Sequence, residues 1–143
     1  MIKDFEKYHG SFFARVAHNY KNIKISLFEN NDNSSYIIND NCGVYIKFSK
    51  KRLTPWQFTF THEHYNYIKE LSKETIKGYV VLLCHDDGFC CVDFNEFYTI
   101  ITDIEVGLSK TVSVSRFKNQ QYSVSGTDGK INHKFVDAYI ELI

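Results

Sequence analysis

The chain is poor in the residues that punctuate or staple a fold. One proline and seven glycines occur in 143 residues, too few for a proline-rich linker, a collagen-like repeat or a glycine-rich disordered tract. Net charge is lacking too, because 17 Lys and Arg balance 17 Asp and Glu. That balance excludes a uniformly basic nucleic-acid coat and a polybasic membrane anchor, which need excess cations to displace counterions or meet anionic lipid. Apolar runs such as Tyr79 to Cys84 are strand-sized, far below the ~20 residues of a spanning helix. The segment Met1 to Lys7 mixes acids and bases without an apolar stretch. The expectation is therefore no membrane, no signal peptide, a reducing cytoplasm, and four cysteines held as thiols.

What is abundant is aromatic: 12 Phe, 10 Tyr and one Trp supply the apolar mass of one compact core. The length fits a single domain over residues 1–143. Phe5, Tyr8, Phe12, Phe13, Val16 and Tyr20 recur at three and four, predicting an N-terminal helix that Gly10 threatens to interrupt. Alternation predicts strands at 21–29, with Ile23, Ile25 and Leu27 inward, and then at 36–38, 44–49 and 57–61. Thr61 caps a helix running to about Glu74, and Asp93 with Glu96 forms a capping box for a short third helix. Between them, 79–84 and 89–94 form a hairpin through Asp86-Asp87-Gly88. Strands at 111–117, 121–125 and 131–135 and a closing helix at 136–143 complete the reading. The fold class is α+β: a mostly antiparallel mixed sheet flanked by an N-terminal helix and two shorter ones.

The zero total conceals an asymmetry. Residues 41–62 hold four cations (Lys47, Lys50, Lys51, Arg52) and no acid, whereas 78–109 hold six acids and no Lys or Arg. Lys47, Lys50, Lys51 and Arg52 on a basic strand edge, with Trp56 placed to stack and Arg116 completing a groove, form a candidate nucleic-acid interface. Lysines also protect exposed strand edges, and a sole Trp beside Phe58 and Phe60 equally suits the core.

Lys47 stands mid-strand in Val44-Tyr45-Ile46-Lys47-Phe48-Ser49, sharing a face with Tyr45 and Ser49. The order helix, three antiparallel strands, helix and a further strand hairpin, over residues 1–105, resembles the PD-(D/E)XK restriction-endonuclease-like nucleases. In that family an acid, then an acid-x-Lys on the next strand, holds a divalent metal. The resemblance implies Lys47 as the lysine and Asp40 or Asp32 as the preceding acid, making these the candidate catalytic residues. Position 45 departs from the pattern, since a phenol does not replace a carboxylate as a ligand for a hard cation. Such a chain binds or scaffolds rather than cleaves, and Mg²⁺ is implied only for a working nuclease.

Other patterns mimic chemistry. A two-residue Asp87-Gly88 loop would pair Cys84 with Cys91 and His85 with Cys90, leaving each face two soft ligands where a structural zinc needs four. Cys42 stands in a turn, a nucleophile only with a neighbouring His. His62 and His64 are two apart rather than four, so they do not form the helical zinc pair. Residues 126–130 read as a β-turn, not a phosphate loop.

The resulting expectation is a small non-catalytic module of bacterial or phage type, without cofactor, that binds DNA, RNA or a nucleic-acid-processing complex. The alternatives are a protein-protein interaction module, such as an inhibitor or accessory subunit of a defence system using its acidic half and tyrosines, and a metal-dependent nuclease.

Overall fold

A computed structural model describes residues 1–131 and 133–137. Its elements are α1 (Asp4–Asn19), β1 (Ile25–Leu27), β2 (Ser35–Ile38), β3 (Cys42–Ser49), β4 (Trp56–Thr61), α2 (His62–Lys73), β5 (Lys77–Cys84), β6 (Phe89–Asp93), α3 (Phe94–Ile100), β7 (Ser109–Ser115), β8 (Ser123–Gly126) and β9 (Gly129–Lys130). The chain is an α+β domain with two sheets, in the orders β1-β2-β3-β5-β6 and β4-β7-β8-β9. Among the described residues all pairings are antiparallel except β3 with β5.

Parallel neighbours require a crossover, and here β4 and α2 fill it. Strand alternation then builds two cores. Val44, Ile46, Val81, Leu83 and Phe89 face α1, meeting Phe12 and Val16. Tyr45, Val80, Leu82 and Cys84 face the second sheet, meeting Trp56, Phe58, Phe60, Val112 and Val114, with α2 and α3 closing the sides. Burial on both faces makes β3 and β5 nearly continuous in apolar residues, as parallel strands commonly are. Both anticipated caps form: Thr61 Oγ1 accepts from the His64 amide at 3.2 Å, and Asp93 Oδ1 from the Glu96 amide at 2.8 Å. Gly10 does not interrupt α1.

Several expectations are corrected. One sheet becomes two, because β4 pairs with β7 across about 50 residues of sequence rather than with β3. In β1 the faces are reversed, since Ile25 and Leu27 are exposed while Ser26 is half-buried. The β5–β6 turn is longer than two residues: Leu82 pairs with Cys90, and Leu83 with Phe89. The Cys84 amide donates to the Gly88 carbonyl at 2.9 Å, with His85 in the left-handed region at φ 51°. Cys84 and Cys90 consequently face one core and Cys91 the other. Cys42 begins β3, fully buried, and burial pushes its thiol up to about 11. Among the described residues of the strand expected at 131–135 there is only a bridge between Tyr122 and Lys134, and the short β9 precedes it. Val136 and Asp137 form a turn, and the rest of the expected closing helix lies outside the described residues. No helix among the described residues is long and apolar enough to cross a membrane.

Candidate functional site

The structure gathers some of the sequence-derived site residues in two places and leaves Asp40, Lys50 and Lys51 outside both. Lys47 lies inside, on the β3 face turned toward the second sheet. β3 is an internal strand between β2 and β5, which corrects the reading of a basic strand edge. The antiparallel register of β2 sets Ser35 against Tyr45, so the loop before β2 brings Asp32 to the same face. The Tyr45 hydroxyl donates to Asp32 Oδ2 at 2.6 Å. Burial, then this hydrogen bond, raises the Tyr45 phenol far above its ordinary range. Lys47 Nζ lies 3.5 Å from His64 Nδ1 and 5.2 Å from the centre of the Phe60 ring. Burial lowers the Lys47 pKa, opposed by the charge of Asp32. Burial and then the Lys47 charge lower that of His64.

Asp40 is not part of this cluster. It occupies the β2–β3 turn at φ 63° and pairs with Lys24 at 3.1 Å. Seven residues at about 3.3 Å each separate it from Lys47 along an extended strand. Asp32 is therefore the acid that accompanies Tyr45 and Lys47, with His64 as a member that sequence reasoning missed. Its position as third residue of α2, beside the cap, was the available signal. With Tyr45 already on the Asp32 carboxylate, the cluster offers one occupied carboxylate and a lysine. No group of three or more His, Cys, Asp or Glu suited to a metal occurs among the described residues.

The second place is a surface pocket of about 390 Å³ where the loop after β3 meets the end of β7. Arg52, Arg116 and Lys118 line it together with Leu53, Asp87 and Phe117. The Arg116 amide donates to Thr54 Oγ1 at 2.9 Å, tying the two segments together. Asp87 fixes the Arg116 side chain, accepting from Nε at 3.1 Å and from Nη2 at 3.4 Å, and it also accepts from the Tyr122 hydroxyl at 2.9 Å. Phe117 is 78% exposed at the rim beside Leu53.

Trp56 touches this pocket but is only 2% exposed, and its indole N–H donates to the Lys51 carbonyl at 2.8 Å. It is a core anchor and cannot be a stacking platform, so that expectation is corrected; Phe117 is the aromatic on the surface. Lys50 is paired with Asp4 at 3.1 Å, and Lys51 Nζ donates to the Pro55 carbonyl at 3.0 Å. Lys47, Lys50 and Lys51 thus stand apart from the pocket, while Arg52 and Arg116 meet in it. The acidic segment is spent partly on structure, Asp87 on Arg116, Asp93 on a cap and Glu96 on Lys134 at 2.8 Å. Compared with protein-family models, curated proteins and solved structures, the chain matches none.

Proposed function

We propose that the chain is a non-catalytic nucleic-acid-binding module that receives a phosphate backbone at the Arg52, Arg116 and Lys118 pocket and a base on Phe117. The observation that carries this reading is the convergence of two basic segments, 60 or so residues apart, on one pocket rimmed by an exposed aromatic ring. Cations track the backbone while an aromatic face accepts any base, a pairing suited to single strands. The restriction-endonuclease-like resemblance stays one of element order, with a meander β1-β2-β3, a crossover through β4 and α2, and parallel β5. Against cleavage stands Tyr45, whose hydroxyl occupies the Asp32 oxygen where that family needs a second carboxylate and a metal.

Fluorescence anisotropy with a labelled single-stranded oligonucleotide tests the reading. With Arg116 paired to Asp87, two phosphate contacts at Arg52 and Lys118, ~0.7 counterions each, weaken binding about sevenfold between ~50 and ~200 mM salt. The combined replacements Arg52→Ala, Phe117→Ala and Lys118→Ala abolish most of the affinity and flatten that dependence. A wild-type chain with no detectable binding at ~50 mM salt refutes it.

A further inference from the structure

A second pocket, of about 350 Å³, opens between α1 and the β5–β6 turn. It lies where the parallel pair β3 and β5 ends, the His85 amide donating to the Ser49 carbonyl at 3.1 Å. Ligands in open sheets collect outside the carboxyl ends of parallel strands, and the volume falls within the usual range for small-molecule sites. Its floor is apolar, formed by Leu83 and Phe89. Its α1 wall presents Lys7, Ser11 and Arg15, spaced by four and so aligned on one side of the helix. Arg15 is steadied at the rim, Nη1 to Asp137 at 2.7 Å with its guanidinium 5.6 Å from the Phe89 ring centre. Opposite, His85 Nδ1 is 3.0 Å from the Tyr8 hydroxyl, and Tyr8 stacks on Phe48 with ring centres 4.5 Å apart. Arg15, His85 and Tyr8 are thus held before any ligand arrives, which reduces the entropy lost on binding.

We propose that this pocket binds a phosphate monoester carried on a planar ring, with the phosphate between Lys7, Ser11 and Arg15 and the ring over Leu83 and Phe89. Lys7 and Arg15 flank Ser11, whose hydroxyl donates to the Tyr8 carbonyl at 2.9 Å and turns to the ligand on binding; the three match a tetrahedral dianion, which accepts charge-assisted hydrogen bonds in several directions. The apolar floor demands more than an inorganic ion. Asp86 at the His85 side, with its carboxylate 3.7 Å from Nε2, disfavours a ligand whose negative charge extends to both ends.

The probe is adenosine 5′-monophosphate, followed by calorimetry and amide chemical-shift mapping of the full chain. Expected are saturable shifts at Ser11, His85 and Gly88, and roughly tenfold weaker binding for Lys7→Ala and for Ser11→Glu, each a change of one charge on an exposed helix face. Arg52→Ala leaves this binding unchanged, which separates failure here from failure of the nucleic-acid reading. The same headgroup occurs free or at the end of a strand. A short oligonucleotide with and without a 5′-phosphate, tested on the Arg52→Ala, Lys118→Ala chain, distinguishes the sources, and preference for either phosphorylated ligand supports the proposal. No binding of any phosphorylated probe at ~10 mM, equal binding of inorganic phosphate and nucleotide, or indifference to Lys7→Ala and Ser11→Glu overturns it.

Discussion

Among the described residues Asp87 is the single acid lining the Arg52 pocket, and its replacement separates stability from binding. Its carboxylate holds Arg116 through two nitrogens and also accepts a hydrogen bond from the hydroxyl of Tyr122, whose side chain is fully buried. In Asp87→Asn the amide oxygen still accepts from Tyr122, so only the ion pair is lost. With side chains 21% and 27% exposed, that pair lies between surface and buried limits, costing about 1–2 kcal/mol. Asp87→Ala also leaves the Tyr122 hydroxyl without an acceptor, adding about 1–3 kcal/mol. At roughly 2–4 °C per kcal/mol for a domain of this size, Tm falls by about 5 °C for Asn and about 10 °C for Ala. Oligonucleotide affinity moves the other way. Removing one negative charge near the bound phosphates and releasing Arg116 gains about 1 kcal/mol at low salt, roughly fivefold. The plot of log affinity against log salt steepens by about 0.7. Differential scanning calorimetry and anisotropy between ~50 and ~200 mM salt measure both. A folded Asp87→Asn chain whose affinity and salt slope equal those of the wild type refutes the placement of phosphate in this pocket.

Acid should weaken the fold through His9. This side chain is 3% exposed, its Nδ1 lies 2.7 Å from the Tyr36 hydroxyl, and burial, partly offset by Asp32, lowers its pKa from 6.5 to about 4. A depressed histidine favours the neutral ring in the folded state, so its contribution is complete above pH 6.5 and is lost as pH falls toward 4, about 2 kcal/mol being gone at pH 5. Urea unfolding from pH 8 to 5 should show this slope, flattened in His9→Leu; an unaltered slope in that variant removes His9 from the account. At Gly78 an added Cβ meets the Phe94 ring and lies 2.5 Å from the Gly43 carbonyl oxygen, so Gly78→Ala should cost about 3 kcal/mol or more by overpacking. A Tm within 2 °C of wild type contradicts the tight approach of β3, β5 and α3. Finally, incubation of the chain with single- and double-stranded DNA in Mg²⁺ or Mn²⁺ should yield no cleavage, and cleavage that disappears in Lys47→Ala assigns a nuclease instead.

Local physics was legible in the chain where one neighbouring surface dominates. β4 alternates Trp56, Phe58 and Phe60 inward because a single core faces it, and Thr61 and Asp93 cap helices through contacts three residues away. β1 misled because it is an outermost strand, where Ile25 and Leu27 face water and alternation does not say which side is covered. The β5–β6 register misled because Asp-Gly is the strongest short-turn signal, yet here Asp87 is held by Arg116 and Tyr122, about 30 residues distant in sequence. The site was legible in part: charge and strand phase placed Arg52 with Arg116 but missed Phe117 and Lys118, which lie just beyond β7. The sequence offered Asp32 and Asp40 alike, and only the β2–β3 register, which carries Asp32 to Tyr45 and leaves Asp40 in the turn, decides between them.

The turn after β5 connects these observations. Its His85 amide is bound by Ser49, its Asp87 carboxylate by Arg116 and Tyr122, and the Phe89 amide next to it by Asp137 Oδ1 at 2.9 Å. The turn divides between the pockets: His85 and Asp86 wall the α1 pocket while Asp87 walls the Arg52 pocket. A rigid turn keeps both pockets formed without ligand. Its anchors come from β3, the residue after β7, the segment entering β8, and residue 137, so loosening any one of them loosens both walls. Loss of the Arg116 anchor should therefore be felt in the α1 pocket across the turn. In Arg116→Ala, hydrogen exchange at His85 and Gly88 should rise together; a change confined to Asp87 means that the turn is not one unit.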